Sequence, residues 1–357
     1  FVNAAVHANG NYQIIFPPSA EFATFHGKNQ FSRWPISREV FNGQDYRRGV
    51  DVSRWKNHSA PTSFFAWNHE EDFLAGYDHG KKAGIAFVAD HHTVPGKKLW
   101  TWGTGAEGKY WDKILTDEDG PYLELMVGSY SDNQPDYSWI QPYETRTVKQ
   151  YWYPLRELGG LKAANAGAAC NLDITDKGMV TVALNATSDL PAARVRLEAG
   201  SRTVFEDQAD IGPGRPYRRS FRAPDGIDHR TGLVLSLRSR DGRSVIRYSY
   251  SPRPETAEDL PEPVSPPPPP RDIQTVEELY LTGLRLEQFY NPAAEPWPYY
   301  EEALRRDPGE TRVNTALALL DLKRGKYGEA EARLKKALER LSFNYTRPKD
   351  GEALYYL

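Results

Sequence analysis

Glu124 is the residue whose setting most directly suggests chemistry. It lies in an otherwise apolar, strand-like run, Tyr-Leu-Glu-Leu-Met-Val, at residues 122–127. A carboxylate in such a run is costly unless another group pairs with it or a reaction uses it. An arginine partner would be the ordinary explanation, and proton transfer would be the functional one. Glu124 is therefore the first candidate for a catalytic residue.

Two other polar segments could supply partners for this carboxylate. Residues 2–9 read Val-Asn-Ala-Ala-Val-His-Ala-Asn, and strand alternation places Asn3 and His7 on one face. Residues 76–79 read Gly-Tyr-Asp-His and offer Asp78 and His79. Each segment also has an ordinary interpretation, as a strand histidine with a satisfied ring and as an Asp-His turn. An imidazole and a carboxylate in one site can together transfer protons.

The segment that follows Glu124 is dense in hydrogen-bonding and aromatic side chains. Residues 130–139 read Tyr-Ser-Asp-Asn-Gln-Pro-Asp-Tyr-Ser-Trp. Amide groups can bond sugar hydroxyls and aromatic faces can pack on sugar C–H bonds, so Asn133, Gln134 and Trp139 are candidate ligand contacts. A turn-rich hairpin without a ligand is the alternative.

Asp90-His91-His92 raises the question of a metal, since these side chains offer nitrogen and oxygen ligands. Adjacent residues on a strand point to opposite faces, so the two histidines can share an ion only if they lie in a loop. We therefore expect no metal and no other cofactor, and we interpret His92 as a contact to the substrate.

Composition narrows the class of protein. The 357 residues carry 45 basic and 48 acidic side chains, which predicts no nucleic-acid partner and no anionic membrane surface. The tryptophans concentrate before residue 153, which is typical of a sugar-binding surface or of a Trp-rich β core. Cys170 is the only cysteine, which favours a reducing, cytoplasmic compartment. The sequence has no apolar run long enough for a transmembrane helix.

The spacing of apolar runs and turn residues predicts a multidomain β plus α architecture. Residues 1–158 contain short strand-length runs without a convincing helical period, which favours an antiparallel β-sandwich. Residues 165–251 alternate again, as in a small immunoglobulin-like sandwich. Residues 252–273 are a Pro-rich linker with five consecutive prolines, which could be a stiff spacer or a ligand for a proline-recognition domain. Residues 274–357 have a helical period.

The helical part resembles tetratricopeptide repeats, whose period is about 34 residues. Small and large residues recur at matching places, and they are Tyr300, Ala303, Pro308, Leu317, Ala318, Gly325, Tyr327, Ala330, Leu334 and Ala337. Such repeats can form a groove for a protein partner, or they can simply stack on their neighbours. Since the chain opens without Met and ends on Glu-Ala-Leu-Tyr-Tyr-Leu, as if entering another helix, we expect an internal piece of a longer protein.

In chain order, the segments of residues 1–155 resemble the galactose mutarotase-like superfamily, which includes aldose 1-epimerase. The matching places are Asn3 and His7, Tyr-Asp-His at 77–79, Pro-Gly followed by an aromatic strand at 95–100, Glu124, and Pro-Tyr-Glu at 142–144. The resemblance is greatest to a bacterial branch that carries tetratricopeptide repeats after this domain. It implies the C-terminal half of a mutarotase-like sandwich.

The resemblance implies that His7 is the catalytic acid, that Glu124 is the base and that Asp78 holds sugar hydroxyls. Asn3, His79, Trp100, Trp102 and Trp139 would contact the sugar. The sequence departs from the epimerases in Ala-Asn-Gly-Asn after His7 and in Leu-Met after Glu124. Epimerisation and glycoside cleavage therefore both stay open. The alternative from another class is a non-catalytic scaffold that binds glycan while the repeats recruit a protein.

Overall fold

A computed structural model describes residues 2–26, 29–129, 140, 143–224, 232–250, 259–288 and 294–357, with Val2 and Asn3 described by their backbone alone. The chain forms two compact units, the first within residues 1–263 and the second over 264–357. Antiparallel strands build the first unit and helices build the second. The multidomain β plus α class predicted from the sequence is confirmed.

The first part of the chain is built from short strands. In chain order they are β1 Val2–His7, β2 Tyr12–Ile15, β3 Phe22–Thr24, β4 Phe31–Arg33, β5 Ile36–Ser37, β6 Val40–Phe41, β7 Gln44–Asp45, β8 Val50–Asp51, β9 Thr62–Trp67, β10 Phe73–Asp78, β11 Ala83–Val88, β12 Gly96–Thr101, β13 Tyr122–Gly128 and β14 Tyr151–Arg156. They form a six-stranded sheet of order β1-β13-β12-β9-β3-β4, a four-stranded sheet of order β14-β11-β10-β2, and two short ribbons.

A single apolar core joins the inner faces of these two sheets. On β13, Leu123, Leu125 and Val127 point into it, while Tyr122 and Glu124 point the other way because strand side chains alternate. Leu74 of β10 and Phe87 of β11 enter the same core from the four-stranded sheet. The face of the six-stranded sheet that carries Glu124 is therefore the one turned away from the core, and we call it the outer face.

One helix interrupts the strands, against the expectation of no helical period before residue 158. Helix α1, Ala106–Leu115, lies between β12 and β13, and a 3₁₀ turn occupies Trp55–Asn57. Within α1, Gly108 packs so closely on the backbone of Gly103 that a Cβ there would lie 2.2 Å from the Gly103 carbonyl oxygen. This close approach packs the first turns of the helix against the segment that precedes it.

A second β region follows. Its strands are β15 Ala163–Ala164, β16 Ala168–Ile174, β17 Met179–Ala186, β18 Leu190–Ala199, β19 Arg202–Ile211, β20 Tyr217–Arg222, β21 Leu233–Arg238 and β22 Ser244–Ser249. They form two four-stranded antiparallel sheets, β15-β16-β17-β20 and β19-β18-β21-β22. Cys170, Val182, Val195 and Leu235 are buried between these sheets. An immunoglobulin-like topology stays a prediction.

The second β region covers the outside of the four-stranded sheet of the first. Phe73 and Tyr77 of β10 share an apolar cluster with Leu158, Ala169 and Ala183. The side chain of Asn185 links the two regions further, since it donates to the Arg156 carbonyl at 2.8 Å and accepts from the Arg156 amide at 2.6 Å. This contact buries one outer surface of the sandwich, whereas the outer face of the six-stranded sheet lies on the opposite side.

The second unit consists of paired helices. They are α2 Val276–Gln288, α3 Trp297–Arg306, α4 Thr311–Lys323, α5 Tyr327–Ser342 and α6 Glu352–Tyr356. Tyr300 and Ala303 of α3 are fully buried, as are Leu334 and Ala337 of α5. Gly325 follows α4 with φ +73°, the left-handed conformation in which glycine commonly ends a helix. Across the described parts of the chain, no helix combines the length and apolar character needed to cross a bilayer.

Candidate functional site

The register of β1 and β13 brings the two predicted catalytic residues to one face. Ala5 lies opposite Glu124 and His7 lies opposite Tyr122. His7 and Glu124 are therefore diagonal neighbours on the outer face, and such pairs have Cβ atoms roughly 7 Å apart. The His7 side chain is exposed and that of Glu124 is half-buried. A ligand the width of one sugar ring could contact both groups.

The turn before β13 sets the position of the His7 ring. Gly120 has φ +79°, a conformation that favours glycine, and a Cβ at this residue would lie 3.6 Å from His7 Cε1. Thr116 donates its hydroxyl hydrogen to the Gly120 carbonyl at 2.7 Å, which fixes the turn to the end of α1. The imidazole therefore stands beside a short, tightly bonded connection.

Aromatic side chains border Glu124 on its other side. Trp100 of β12 lies directly opposite Glu124, and its ring meets the Trp102 ring edge-on with centroids 4.4 Å apart. Trp102 stacks on Trp111 of α1 at 4.9 Å and donates its indole hydrogen to the Tyr122 hydroxyl at 3.3 Å. Helix α1, which the sequence pattern did not indicate, thus supports Trp100 and Trp102, which were predicted as ligand contacts.

Lys98 belongs to the same face and was not among the predicted site residues. It lies opposite Met126 on β13 and is diagonal to Glu124. Its side chain is fully buried, and its ammonium nitrogen lies 4.7 Å from the centroid of the Phe65 ring. Its position two residues before Trp100 in one strand is the signal that could have identified it.

A second imidazole, that of His26, lies at the far end of this group of side chains. Ser63 of β9 lies opposite Trp100, and the Ser63 hydroxyl is 3.4 Å from His26 Nδ1. Partial burial lowers the pKa of His26 below its ordinary value, so that its ring is neutral at neutral pH. A row from His7 through Glu124 and Trp100 to His26 therefore crosses the outer face, and no sequence pattern indicated its last member.

Asp78 and His79 are not brought together with Glu124. Asp78 points to the same side of β10 as Leu74, towards the core, and it accepts hydrogen bonds from Asn9 Nδ2 at 2.6 Å and from the amides of Gly80 and Lys81. Burial raises the pKa of Asp78, but these hydrogen bonds outweigh it and hold the value below its ordinary range. The carboxylate fastens a turn within the protein.

The other predicted contacts lie elsewhere. His79 Nε2 is 2.7 Å from the Gln13 side-chain oxygen, and burial together with Arg54 lowers the pKa of this histidine. His92 lies in the turn after β11, with Nδ1 3.0 Å from Asp90. The backbone of Asn3 lies opposite Met126 in β1. Asn133, Gln134 and Trp139 fall outside the described residues.

The fold defines a class of multidomain protein. It combines a β-sandwich that has a polar and aromatic outer face, a second β region and a helical unit. Residues 1–155 match a family described as a domain of unknown function, DUF5107. Residues 163–248 match a family described as the second domain of YphG-like protein. The first match ends at residue 155 and the second begins at residue 163, close to the boundary between the two β regions.

Two solved structures are similar to the chain at low identity. One is a TPR-domain containing protein from Parabacteroides distasonis, with 14% identity and a TM-score of 0.29 over 98% of this chain and 44% of that one. The chain thus spans less than half the length of that protein. The other is a polysaccharide lyase, with 10% identity and a TM-score of 0.18 over 95% of this chain and 69% of that one. Scores this low carry no argument about function.

Proposed function

We propose that the first β region is mutarotase-like and binds a sugar on the outer face of its six-stranded sheet, where Glu124 and His7 perform general acid–base chemistry. The observation that carries this proposal is the diagonal placement of the two side chains on β1 and β13, next to Trp100. A base, an acid and an aromatic face within one sugar ring of each other are the minimum set for proton exchange on a pyranose.

In the proposed reaction Glu124 takes the proton of the anomeric hydroxyl while the protonated His7 imidazole gives a proton to the ring oxygen. The bond between the anomeric carbon and the ring oxygen breaks, and its electron pair stays on the oxygen. Rotation about the adjacent carbon–carbon bond exposes the other face of the new carbonyl. Ring closure then runs the same proton transfers in reverse, with the protonated Glu124 as acid and the neutral His7 as base.

Hydrolysis of a glycosidic bond is supported less well by the described residues. Ordinary glycosidases place two carboxylates on either side of the scissile bond. Three aspartates of the sequence are candidates for the second carboxylate, and they are Asp78, Asp132 and Asp136. Asp78 points towards the core, and the other two lie outside the described residues. Proton exchange needs only the carboxylate and imidazole that share the outer face.

Substitution of Glu124 by Gln tests the proposal, since it keeps the shape of the side chain and removes its basicity. The rate of mutarotation of a panel of aldoses would be followed by polarimetry. We expect a loss of about 10²–10⁴-fold in turnover for Glu124→Gln and for His7→Gln. Glu70→Gln, an exposed carboxylate of the same region, is the matched control and should keep full activity. Unchanged turnover in Glu124→Gln would refute the catalytic role.

A second function, glycan binding without turnover, is favoured by one observation. Trp100, Trp102, Trp111 and Tyr110 form a continuous aromatic cluster beside Glu124, with successive ring centroids 4.4, 4.9 and 5.5 Å apart. Tyr110 is 60% exposed, so the cluster reaches the surface. Saturable glycan binding by the intact protein, with no turnover of any sugar in the panel, would select this function over the first.

We propose further that the helical unit consists of tetratricopeptide repeats that bind a protein partner. The support is that residues 34 positions apart play the same part, since Tyr300 and Leu334 are both buried, as are Ala303 and Ala337. Exposed aromatic residues on α5 and after it offer a surface, with Tyr327 and Tyr345 more than two-thirds exposed. Peptide-array binding that is lost on substituting these tyrosines, but retained in Glu124→Gln, would support a separate protein-binding role.

A further inference from the structure

The turn after β11 places two adjacent histidines where both can reach one ion. The Asp90 carbonyl accepts the amide hydrogens of Thr93 at 3.1 Å and Val94 at 2.8 Å, so His91 and His92 lie in a turn and not on a strand. Their ring centroids are 3.9 Å apart, with 38° between the planes. The geometric objection to a shared ion, that strand neighbours point to opposite faces, therefore does not apply.

The His91 imidazole is oriented by a carboxylate outside the group. His91 Nδ1 lies 2.8 Å from Asp72 Oδ1, and the His91 amide donates to the same oxygen at 2.8 Å. His92 Nδ1 lies 3.0 Å from Asp90 Oδ1, a separation that two ligand atoms of one ion can have. When His91 Nδ1 donates its hydrogen to Asp72, the lone pair of the neutral His91 ring stands on Nε2. This pairing of a carboxylate with the far nitrogen is the usual support for histidines that bind metals.

A neighbouring histidine is fully engaged and stays outside the group. The His69 ring centroid is 6.3 Å from that of His91. His69 Nε2 lies 2.8 Å from the Pro95 carbonyl, and its Nδ1 lies 3.4 Å from the Lys97 ammonium nitrogen. Both of its nitrogens therefore have protein partners, and the group is limited to Asp90, His91 and His92.

We propose that Asp90, His91 and His92 bind a divalent transition-metal ion such as Zn²⁺, with Asp72 as a positioning residue. One ligand atom from each of the three residues lies within 4.8 Å of the others. Ligand bonds of about 2.0–2.2 Å place two ligand atoms on one ion at most about 4.4 Å apart. A small rotation of His92, whose side chain is 78% exposed, closes the difference. Imidazole and carboxylate ligands suit zinc, copper and nickel.

The proposed site lies where two connections of the sandwich meet. Asp72 precedes β10, while Asp90 to His92 follow β11, and the Asp72 carbonyl also accepts the Ala89 amide hydrogen at 2.8 Å. Since three ligands leave at least one coordination position for water, the site would be open to solvent. The proposal is independent of sugar chemistry, because it uses no residue of the outer face.

Titration of the metal-free full chain with Co²⁺, followed by its visible absorption bands, tests the site. We expect saturable binding of one ion, displacement by Zn²⁺, and loss of both in the double variant His91→Gln/His92→Gln. Asp72→Asn should weaken binding about 10–100-fold, since it removes support for His91 without removing a ligand. His79→Gln, which removes a histidine outside the group, should bind as the wild type does.

Two results would overturn the proposal. One is wild-type Co²⁺ affinity and stoichiometry in the double variant, and the other is an absence of saturable binding in the wild type. Circular dichroism of each variant separates loss of the site from loss of the fold. Because the His92 side chain is exposed, its substitution should leave the fold intact. Should the double variant nevertheless unfold, the singly substituted His92→Gln must show at least ten-fold weaker binding for the proposal to stand.

Discussion

Ala5 and Glu124 lie directly opposite each other on β1 and β13, so the side chain across from Glu124 is a single methyl group. His7 follows Ala5 two positions later along the same face. The exposed methyl group of Ala5 thus lies between the proposed acid, His7, and the proposed base, Glu124.

A bulky side chain in place of Ala5 should keep a sugar from contacting His7 and Glu124 together. We expect Ala5→Trp to lower kcat/KM for any sugar substrate by at least ten-fold while leaving the free energy of unfolding nearly unchanged, because Ala5 is exposed. Ala5→Ser is the control and should keep activity. Steady-state kinetics and urea unfolding provide the measurements, and full activity in Ala5→Trp would remove this face from consideration.

The stacked tryptophans should matter for binding more than for chemistry. Trp100→Ala removes the ring opposite Glu124, and Trp111→Ala removes the ring on which Trp102 stacks. We expect both variants to weaken sugar binding several-fold, with the larger effect for Trp100, because only Trp100 adjoins the carboxylate. Isothermal titration calorimetry would measure the dissociation constants. Equal affinity in Trp100→Ala and wild type would contradict the proposed stacking role.

Asp78 should act on stability and not on the sugar. Asp78→Asn weakens charge-assisted hydrogen bonds from Asn9 and from the amides of Gly80 and Lys81, and we expect a loss of about 1–3 kcal/mol in the free energy of unfolding. Because the pKa of Asp78 is lowered in the folded protein, its stabilisation is present at neutral pH and disappears on acidification. A large loss of sugar affinity with unchanged stability would restore it as a ligand contact.

Buried His58 predicts a pH dependence of stability. Burial is the main cause that lowers the pKa of His58 to about 4, against about 6.5 in an unfolded chain. Below pH 6.5 the unfolded state binds a proton that the folded state does not, so stability should fall as pH drops from about 6.5 to 4 and then stop falling on account of this residue. The loss is at most roughly 3 kcal/mol. Urea unfolding across this range would measure it, and a flat profile would be the contrary result.

Two glycines of the helical unit offer a matched pair of substitutions. A Cβ on Gly283 of α2 would lie 2.6 Å from the buried Tyr300 ring of α3, whereas a Cβ on Gly328 of α5 meets no atom within 4 Å. We expect Gly283→Ala to destabilise the protein by about 1–3 kcal/mol despite the better helix propensity of alanine. Gly328→Ala should be neutral or stabilising by up to about 1 kcal/mol. Urea unfolding decides, and equal effects would deny close packing of α2 on α3.

Local patterns were sufficient for the strand that carries Glu124. Alternation in residues 122–127 predicted one apolar face and one polar face, and the structure has Leu123 and Leu125 in the core with Tyr122 and Glu124 outside it. The reason is that strand alternation has a period of two whatever the rest of the chain does. A repeating pattern was sufficient in the helical unit as well, where buried positions recur every 34 residues.

Patterns failed where long-range contacts decide. Helix α1 has a glycine at its N-terminal boundary and another, Gly108, buried within it, and both weaken the helical signal of the segment. Its Trp111 stacks on Trp102, which belongs to a different segment of the chain. Asp78 fitted a family motif, but Asn9 and two backbone amides occupy its carboxylate. The spacing of residues in a motif does not reveal whether other groups of the protein already form hydrogen bonds with its side chains.

The sequence by itself determined the order of β and α parts, the strand that presents Glu124 and the face to which His7 belongs, because all three follow from local periodicity. Tertiary structure alone decided that β1 pairs with β13 in the register that makes His7 and Glu124 neighbours, that Lys98 and His26 join them, and that His91 and His92 share a turn. Strand pairing joins residues more than a hundred positions apart, and its register depends on the packing of the whole core, which no short segment encodes.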